Sequence, residues 1–237
     1  MHLATCRTGR SFILYEASAL CDALTTPPTD PRFFDPDHWR HSGQVIGEAP
    51  GRGASLFLNV GKAQWVLRPY RRGGLIARLS ERRYLWTGLE RTRAFREMRL
   101  TAELYERGLP VPRPLAAGVT LHGPTYEAAL ITIRIAGARA LAELLLSGEA
   151  DAVLLERVGA TVRRFHDAGL DHVDLNARNL LVDPQGKVWL IDLDRCRQRQ
   201  PGKWREANLE RLQRSLGKFD AAESMPAIRQ GYSGARG

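Results

Sequence analysis

Lysine is scarce in this chain of 237 residues: Lys62, Lys187, Lys203 and Lys218 are the only ones within a Lys+Arg total of 35. Arginine therefore carries nearly all of a net charge of +9. Such a balance favours a polyanionic partner: nucleic acid, an acidic membrane surface or a phosphorylated substrate. A GC-rich genome that writes arginine for lysine accounts for the composition equally well. Cysteine is scarce too. Cys6, Cys21 and Cys196 are odd in number and lack CxxC spacing, which excludes a disulfide framework and a zinc site and fits a reducing cytosol. No apolar run approaches the roughly 18 residues of a spanning helix. The N-terminus lacks the apolar core and cleavage site of a signal peptide. A soluble cytoplasmic or peripheral protein is expected. The hydrophobic fraction of 43% excludes wholesale disorder, and neither internal repeats nor low-complexity blocks are present.

Residues 1–40 are mixed, and "TTPPTDPRFFDP" reads as a loose lead-in ending near Trp39. "SLFLNV" and "AQWVLRPY" have strand composition, and the "GK" between them predicts a hairpin at Gly61-Lys62. Residues 75–107 read as helical, with Phe95, Met98, Ala102 and Tyr105 on one stripe and Gly108 as the stop. "LPVPRP" enforces an extended connection, and "YEAALITIRI" is the next strand. "RALAELLLS" is a short helix ended by Gly148. Residues 151–168 are a longer one, with Leu155, Val158, Val162 and Phe165 on its stripe. Trp204 to Phe219 form an amphipathic helix, and the last fifteen or so residues look frayed. Strands in the first half and helices in the second predict an α+β chain of two lobes with a cleft: an N-lobe of about 30–133 and a C-lobe of about 138–220.

The stretch "HVDLNARNLLVDPQGKVWLIDLD" concentrates polar residues among leucines and valines. Phosphoryl transfer needs a carboxylate to relieve an alcohol of its proton. It also needs separate hard oxygen ligands for Mg²⁺ at the nucleotide phosphates. A loop followed by a tight hairpin supplies both: the loop carries Asp174 and Asn179, and the hairpin around "DPQG" returns Asp192 beside them. The spacing matches H-x-D-L-x-x-x-N followed by a metal-binding Asp, filled by His172, Asp174, Leu175, Asn179 and Asp192. Taken singly, Asp174 reads equally well as a turn cap and Asn179 as a loop brace; taken jointly at this spacing they read as base and metal ligand. His172 reads as a structural brace.

The first half carries the nucleotide-side candidates. "GRGAS", with Gly51 and Gly53, is half of a phosphate-cradling glycine loop, or else a plain hairpin turn. "WVLR" puts Arg68 where a strand lysine would stand in V-A-I-K, with Lys62 as the alternative cation; arginine can pair phosphate in bidentate fashion. Glu97 is the candidate partner on the following helix, or else a solvated helix glutamate. Ten arginines stand between Arg68 and Arg99, interrupted by Tyr84, Leu85 and Trp86 and opposed only by Glu81, Glu90 and Glu97. Such a face suits an anionic membrane or a phosphorylated lipid headgroup, with nucleic acid and a solvated helix as competing readings.

Together, "RPYRRGGLIARL", "TGLERTRAFREM", "LPVPRPLAAGV", "RRFHDAGLDHVDLNARNLLVD" and "WLIDLDRCR" resemble the 3-deoxy-D-manno-octulosonic acid (Kdo) kinases of the lipopolysaccharide kinase family, relatives of the protein kinases. The resemblance runs from about Phe34 to Lys218. It implies one bilobal kinase-like domain over residues 1–237, with a β-rich N-lobe and a short, mainly helical C-lobe. It implies ATP and Mg²⁺, and phosphorylation of the 4-hydroxyl of Kdo on a lipid A precursor at the cytoplasmic face of a Gram-negative inner membrane. Asp174 would then be the base, Asn179 and Asp192 metal ligands, Asp194 a further metal or structural carboxylate, and Gly51, Gly53, Arg68 and Glu97 the nucleotide side. The expected partners are a lipid-linked Kdo substrate and an anionic membrane surface; neither nucleic acid nor an obligate protein partner is expected. Two departures stand out. The chain ends about 43 residues after Asp194 without an A-P-E element, which argues against a protein substrate, and Arg68 replaces lysine. A small-molecule phosphotransferase of the aminoglycoside or choline kind and a non-catalytic pseudokinase are the alternatives.

Overall fold

The structure is a computed structural model and describes residues 1–18, 30–49, 55–70 and 83–234. The chain divides into two units. One comprises Met1–Glu106 with Pro112–Arg134; the other comprises Arg107–Val111 with Ile135–Gly237.

The first unit is a twisted antiparallel sheet. Its elements are β1 (Leu3–Thr8), β2 (Ser11–Glu16), α1 (Pro36–His41), β3 (Val45–Glu48), β4 (Leu56–Val60), β5 (Ala63–Pro69), β6 (Tyr84–Leu85), α2 (Arg93–Glu106), β7 (Pro114–His122) and β8 (Thr125–Ile133). The strand order is β1-β2-β7-β8-β5-β4-β3, with β6 paired to β8. The β4–β5 hairpin forms where the sequence predicts it. Val60 faces Ala63 across a turn in which Gly61 takes φ 60°, a conformation that favours glycine. The sheet buries both faces. Leu56, Leu58, Trp65, Leu67 and Ile131 pack on one side with Trp39 of α1. Tyr126, Ala128 and Leu130 pack on the other against Phe95 and Met98 of α2.

Three expectations for this unit fail. Of the lead-in expected over 25–36, residues 25–29 lie outside the described residues, while Pro31–Phe34 form a single 3-10 turn and Trp39 sits in a short helix whose cap, Asp35, accepts from Asp37 N at 3.0 Å; residues 1–16, which the sequence leaves mixed, carry two paired strands. Of the helix expected over 75–107, residues 75–82 lie outside the described residues, Tyr84–Leu85 pair as a strand, and the helix itself begins at Arg93. Gly88, with φ 110°, breaks the chain before it, and Thr92 Oγ1 donates to Leu89 O in a tight turn. Tyr105 is exposed, so the buried stripe runs instead through Ala94, Phe95, Met98, Thr101 and Ala102.

The second unit contains β9 (Arg139–Ala140), α3 (Leu141–Leu146), α4 (Ala152–Asp167), β10 (Leu170–Asp171), β11 (Leu180–Val182), β12 (Val188–Leu190), β13 (Arg197–Gln198), α5 (Trp204–Gly217) and α6 (Met225–Gly234). Asp151 caps α4 by accepting from Leu154 N at 2.7 Å. Leu155, Val158, Val162 and Phe165 are buried as the stripe predicts, each worth about 1.5–3 kcal/mol of apolar burial. Met225–Gly234, expected to be frayed, is helical: α6 packs on α4, with Ile228 buried, and only residues 235–237 of that stretch lie outside the described residues. Glycines make the close approach possible. A Cβ on Gly159 would lie 1.9 Å from Ile228 O, and one on Gly231 1.9 Å from Glu156 O. A β-rich unit and a mainly helical unit are the α+β class expected from the sequence.

Candidate active site

The second unit holds the polar stretch. Its loop, residues 172–179, makes two turns, with Leu175 N donating to His172 O at 3.2 Å and Asn179 N to Asn176 O at 3.1 Å. The Asn176 side chain closes the second turn by accepting from Arg178 N at 2.9 Å and Asn179 N at 3.2 Å. Asn176 Nδ2 and Asn179 Nδ2 both donate to Asp174 O, at 2.9 and 3.0 Å. Two side-chain amides thus clamp the backbone that presents the Asp174 carboxylate. That carboxylate is exposed and takes part in no hydrogen bond or ion pair among the described residues.

The hairpin then returns the chain. Leu180 faces Leu190 and Val182 faces Val188. Asp183 closes the "DPQG" turn by accepting from Gln185 N and Lys187 N, at 3.0 and 2.9 Å, and Gly186 takes the φ of 74° that the turn requires. Ile191 N donates to Asn179 O at 3.0 Å, one further rung. Asp192 is therefore one residue past the ladder partner of Asn179. It adopts φ 61°, a left-handed conformation that aspartate tolerates better than most residues, and the chain swings away with buried Leu193 as its anchor. His172 is fully buried, and its Nε2–H donates to Ile191 O at 3.1 Å. Burial lowers its pKa, so the ring stays neutral and ties the loop to the strand that leads into Asp192.

The loop has a second support, which the sequence reading did not single out. Asp171 is buried and accepts from Arg199 Nη1 at 3.0 Å and from Asn208 Nδ2 at 3.1 Å. Ser215 Oγ accepts from Ala177 N at 3.1 Å. Asn208 and Ser215 both lie on the inward face of α5, so one helix holds the loop before and after Asp174. The available signal was two polar residues, at 208 and 215, falling in register with Leu212 on an apolar stripe.

In the first unit, Arg68 Nη2 donates to Glu97 Oε1, and Tyr70 OH donates to Oε2 of the same buried carboxylate. Arg68 also lies over the Tyr70 ring, 5.0 Å from its centroid. Lys62 is exposed in the β4–β5 turn. Gly51 and Gly53 lie outside the described residues, as do Arg71, Arg72, Arg78 and Arg82. Of the remaining arginines in that run, Arg99 forms a bidentate pair with Glu90, at 2.7 and 2.8 Å, and Arg93 Nη1 donates to Tyr84 OH at 2.6 Å. Arg91 and Arg96 are exposed.

Asn179 and Asp192 offer an amide oxygen and a carboxylate. These hard donors suit Mg²⁺, which completes its shell with water and phosphate rather than with a protein cage. Among the described residues no group of three or more His, Cys, Asp or Glu gathers as a metal centre.

A family model described as "Lipopolysaccharide kinase (Kdo/WaaP) family" matches residues 36–231. The chain is 44% identical over 233 residues to a protein of Stenotrophomonas maltophilia (strain R551-3) named 3-deoxy-D-manno-octulosonic acid kinase, spanning 97% of this chain and 90% of that one. Proteins of the same name from Xylella fastidiosa (strain M12) and Vibrio parahaemolyticus serotype O3:K6 (strain RIMD 2210633) are also similar. The first is 44% identical over 90% of this chain and 85% of its own length. The second is 40% identical over 83% and 82%. Among solved structures, the Cydia pomonella granulovirus kinase PK-1 is similar with a TM-score of 0.45 and 10% identity, over 67% of this chain and 55% of that one.

Proposed function

Since the chain belongs to the lipopolysaccharide kinase (Kdo/WaaP) family, we propose that it phosphorylates the 4-hydroxyl of Kdo on a Kdo-lipid A precursor, with ATP as donor. The observation that carries this reading is the exposed, unpaired carboxylate of Asp174, clamped on its loop, in a chain 44% identical to a named Kdo kinase. Asp174 takes the proton of the acceptor hydroxyl. The acceptor oxygen forms a bond to the γ-phosphorus, the bond to the β,γ-bridging oxygen breaks, and ADP leaves with that electron pair. Asn179 and Asp192 would hold Mg²⁺, with Asp194 as a further metal or structural carboxylate. When bound, the ion neutralises charge on the phosphates. Arg68, its guanidinium fork set by Glu97, would pair a nucleotide phosphate, and the backbone at Gly51 and Gly53 would cradle others. One kinase-like domain with an N-lobe of about 30–133 and a C-lobe of about 138–220 is the organisation that goes with these roles.

The acceptor is membrane-linked, and a peripheral place at the cytoplasmic face of the inner membrane follows from that chemistry. Exposed Leu85, beside Arg83 and near the arginine run, supports such a surface. No helix among the described residues is long and apolar enough to cross a membrane.

The test is mass spectrometry of a Kdo-bearing lipid A precursor after incubation with the chain, ATP and Mg²⁺. One phosphate should appear on the sugar, and Asp174→Asn should slow its appearance by on the order of 10²–10⁴-fold while remaining folded. An unchanged rate in Asp174→Asn would remove it as the base. A folded chain that hydrolyses ATP but leaves Kdo unmodified would overturn the acceptor.

A further inference from the structure

The second unit contains an open concavity of ≈ 540 Å³, lined among others by Asp171, Val173, Arg199, Lys203, Trp204 and Arg211. Three of these six are cations and one is an acid. Arg199 is committed to Asp171 at 3.0 Å. The other two cations form no ion pair among the described residues. Lys203 is exposed, and its ammonium makes no hydrogen bond or ion pair among the described residues; only its carbonyl is engaged, accepting from Ala207 N at 3.2 Å. Arg211 donates from Nη1 to the neutral amide oxygen of Asn208 at 3.0 Å. It is half buried, so its other N–H donors line a partly desolvated wall, where a guanidinium gains most from an anion.

The backbone adds charge of the same sign. Helix α5, 14 residues long, begins at Trp204, and its cap residue Lys203 supplies no side-chain acceptor for the first-turn N–H groups. The place also matters. Val173 lines the concavity and directly precedes Asp174 in the chain, and consecutive Cα atoms are only about 3.8 Å apart. An anion seated here would lie against Val173, the residue that directly precedes the candidate base.

We propose that this concavity is an anion subsite for the acceptor, in which Lys203 and Arg211 bind a carboxylate or phosphate group of the sugar lipid and thereby bring its hydroxyl to Asp174. The identity of the acceptor rests on the Kdo kinase reading; the presence of an anion subsite does not.

The experiment uses the full chain in three variants: Lys203→Glu, Arg211→Gln and, as a charge-matched control on the outer face of α5, Arg214→Glu. A charge-assisted hydrogen bond is worth about a tenfold change in affinity or more. Lys203→Glu and Arg211→Gln should therefore raise KM for the Kdo-lipid acceptor by at least about tenfold and leave KM for ATP alone. Arg214→Glu, which tests general attraction to an anionic lipid, should move the acceptor KM far less. Repeating the series on an acceptor stripped of its lipid phosphates separates the two sources. If the penalty of Lys203→Glu disappears, the group bound is phosphate; if it persists, the group is the sugar carboxylate. An unchanged acceptor KM in both pocket variants overturns the proposal, as does an equal rise for Arg214→Glu or a parallel rise in KM for ATP.

Should the wild-type chain phosphorylate no Kdo acceptor, the functional reading fails and a binding measurement decides the subsite. NMR titration with free Kdo and, separately, with inorganic phosphate follows the backbone amides of Gly202 to Trp204. Saturable shifts that vanish in Lys203→Glu support the subsite without turnover. No saturable shift with either probe at millimolar concentration overturns it.

Discussion

Acid should unfold this protein through His166, and the size of the effect can be worked out. His166 lies at the end of α4 and is fully buried. Its Nδ1 is 2.8 Å from Tyr232 Oη of α6, and its ring meets Trp204, the first residue of α5, edge-on at 5.1 Å. Burial, followed by the Arg205 charge, lowers its pKa from 6.5 to about 4. Above the unfolded value of 6.5 both states are neutral and the group is silent. As pH falls from 6.5 to 4, the unfolded chain takes up a proton that the folded chain refuses, so stability falls with pH across that window and levels off below it. At 1.36 kcal/mol per unit, the loss approaches about 3 kcal/mol. His172, lowered by burial in the same direction, adds to it. The assay is urea unfolding at a series of pH values between 8 and 4 for the wild type and His166→Phe, which keeps an aromatic ring against Trp204. The variant starts less stable, because Tyr232 loses its partner, but its stability should decline less steeply by one proton's worth. Equal slopes for the two proteins would refute the assignment.

The remaining predictions concern the loop, the helix contact and the metal ligands. Asn208→Ala removes a buried donor from Asp171 and should cost about 1–3 kcal/mol in urea unfolding; as a positioning residue, it should also lower kcat about tenfold or more with KM for ATP unmoved. Gly159→Ala puts a Cβ against the Ile228 carbonyl, so despite its better helix propensity it should destabilise by about 1–3 kcal/mol, read as a Tm drop of several degrees. Gly217→Ala, where a Cβ would meet nothing within 4 Å, should not lower Tm. Asp192→Asn keeps a residue that tolerates the left-handed backbone but loses the charge; melting should barely change, while half-saturation of activity by Mg²⁺ shifts to higher concentration, and an unshifted Mg²⁺ curve would count against metal binding there.

What could be read in the sequence follows burial pattern. The β4–β5 hairpin and the helix over 152–167 have one buried side and a clear punctuation residue, so period and turn chemistry agree. Strand β7 is buried on both faces from Pro114 to Val119, where the run is Pro-Leu-Ala-Ala-Gly-Val without a polar residue, so no alternation marks it. Helix α6 has only Met225, Ile228 and Tyr232 on its stripe, too little to stand out without α4 beside it. The start of α2 was misplaced because arginines on either side of Gly88 have the same helical preference. In the second unit, the candidates Asp174, Asn179 and Asp192 stand out through their spacing; in the first, Arg68 and Glu97 meet although they lie 29 positions apart. Asp171, Asn208 and Ser215 have no such spacing. Each is one polar residue in an apolar neighbourhood until the fold brings its partner alongside.

Asn208 and Ser215 are seven residues apart, close to two helical turns, and this makes α5 a ruler for the loop that it holds. Each residue of a helix turns it by about 100° and advances it by about 1.5 Å. A single insertion or deletion between these anchors would swing one of them off the inward face and free one end of the loop, whatever residue was added. Substitutions on the outer face at Glu210, Gln213 or Arg214 leave both anchors in phase. Length between 208 and 215 is therefore constrained more tightly than composition, and variation in chain length among functional relatives should fall outside that interval.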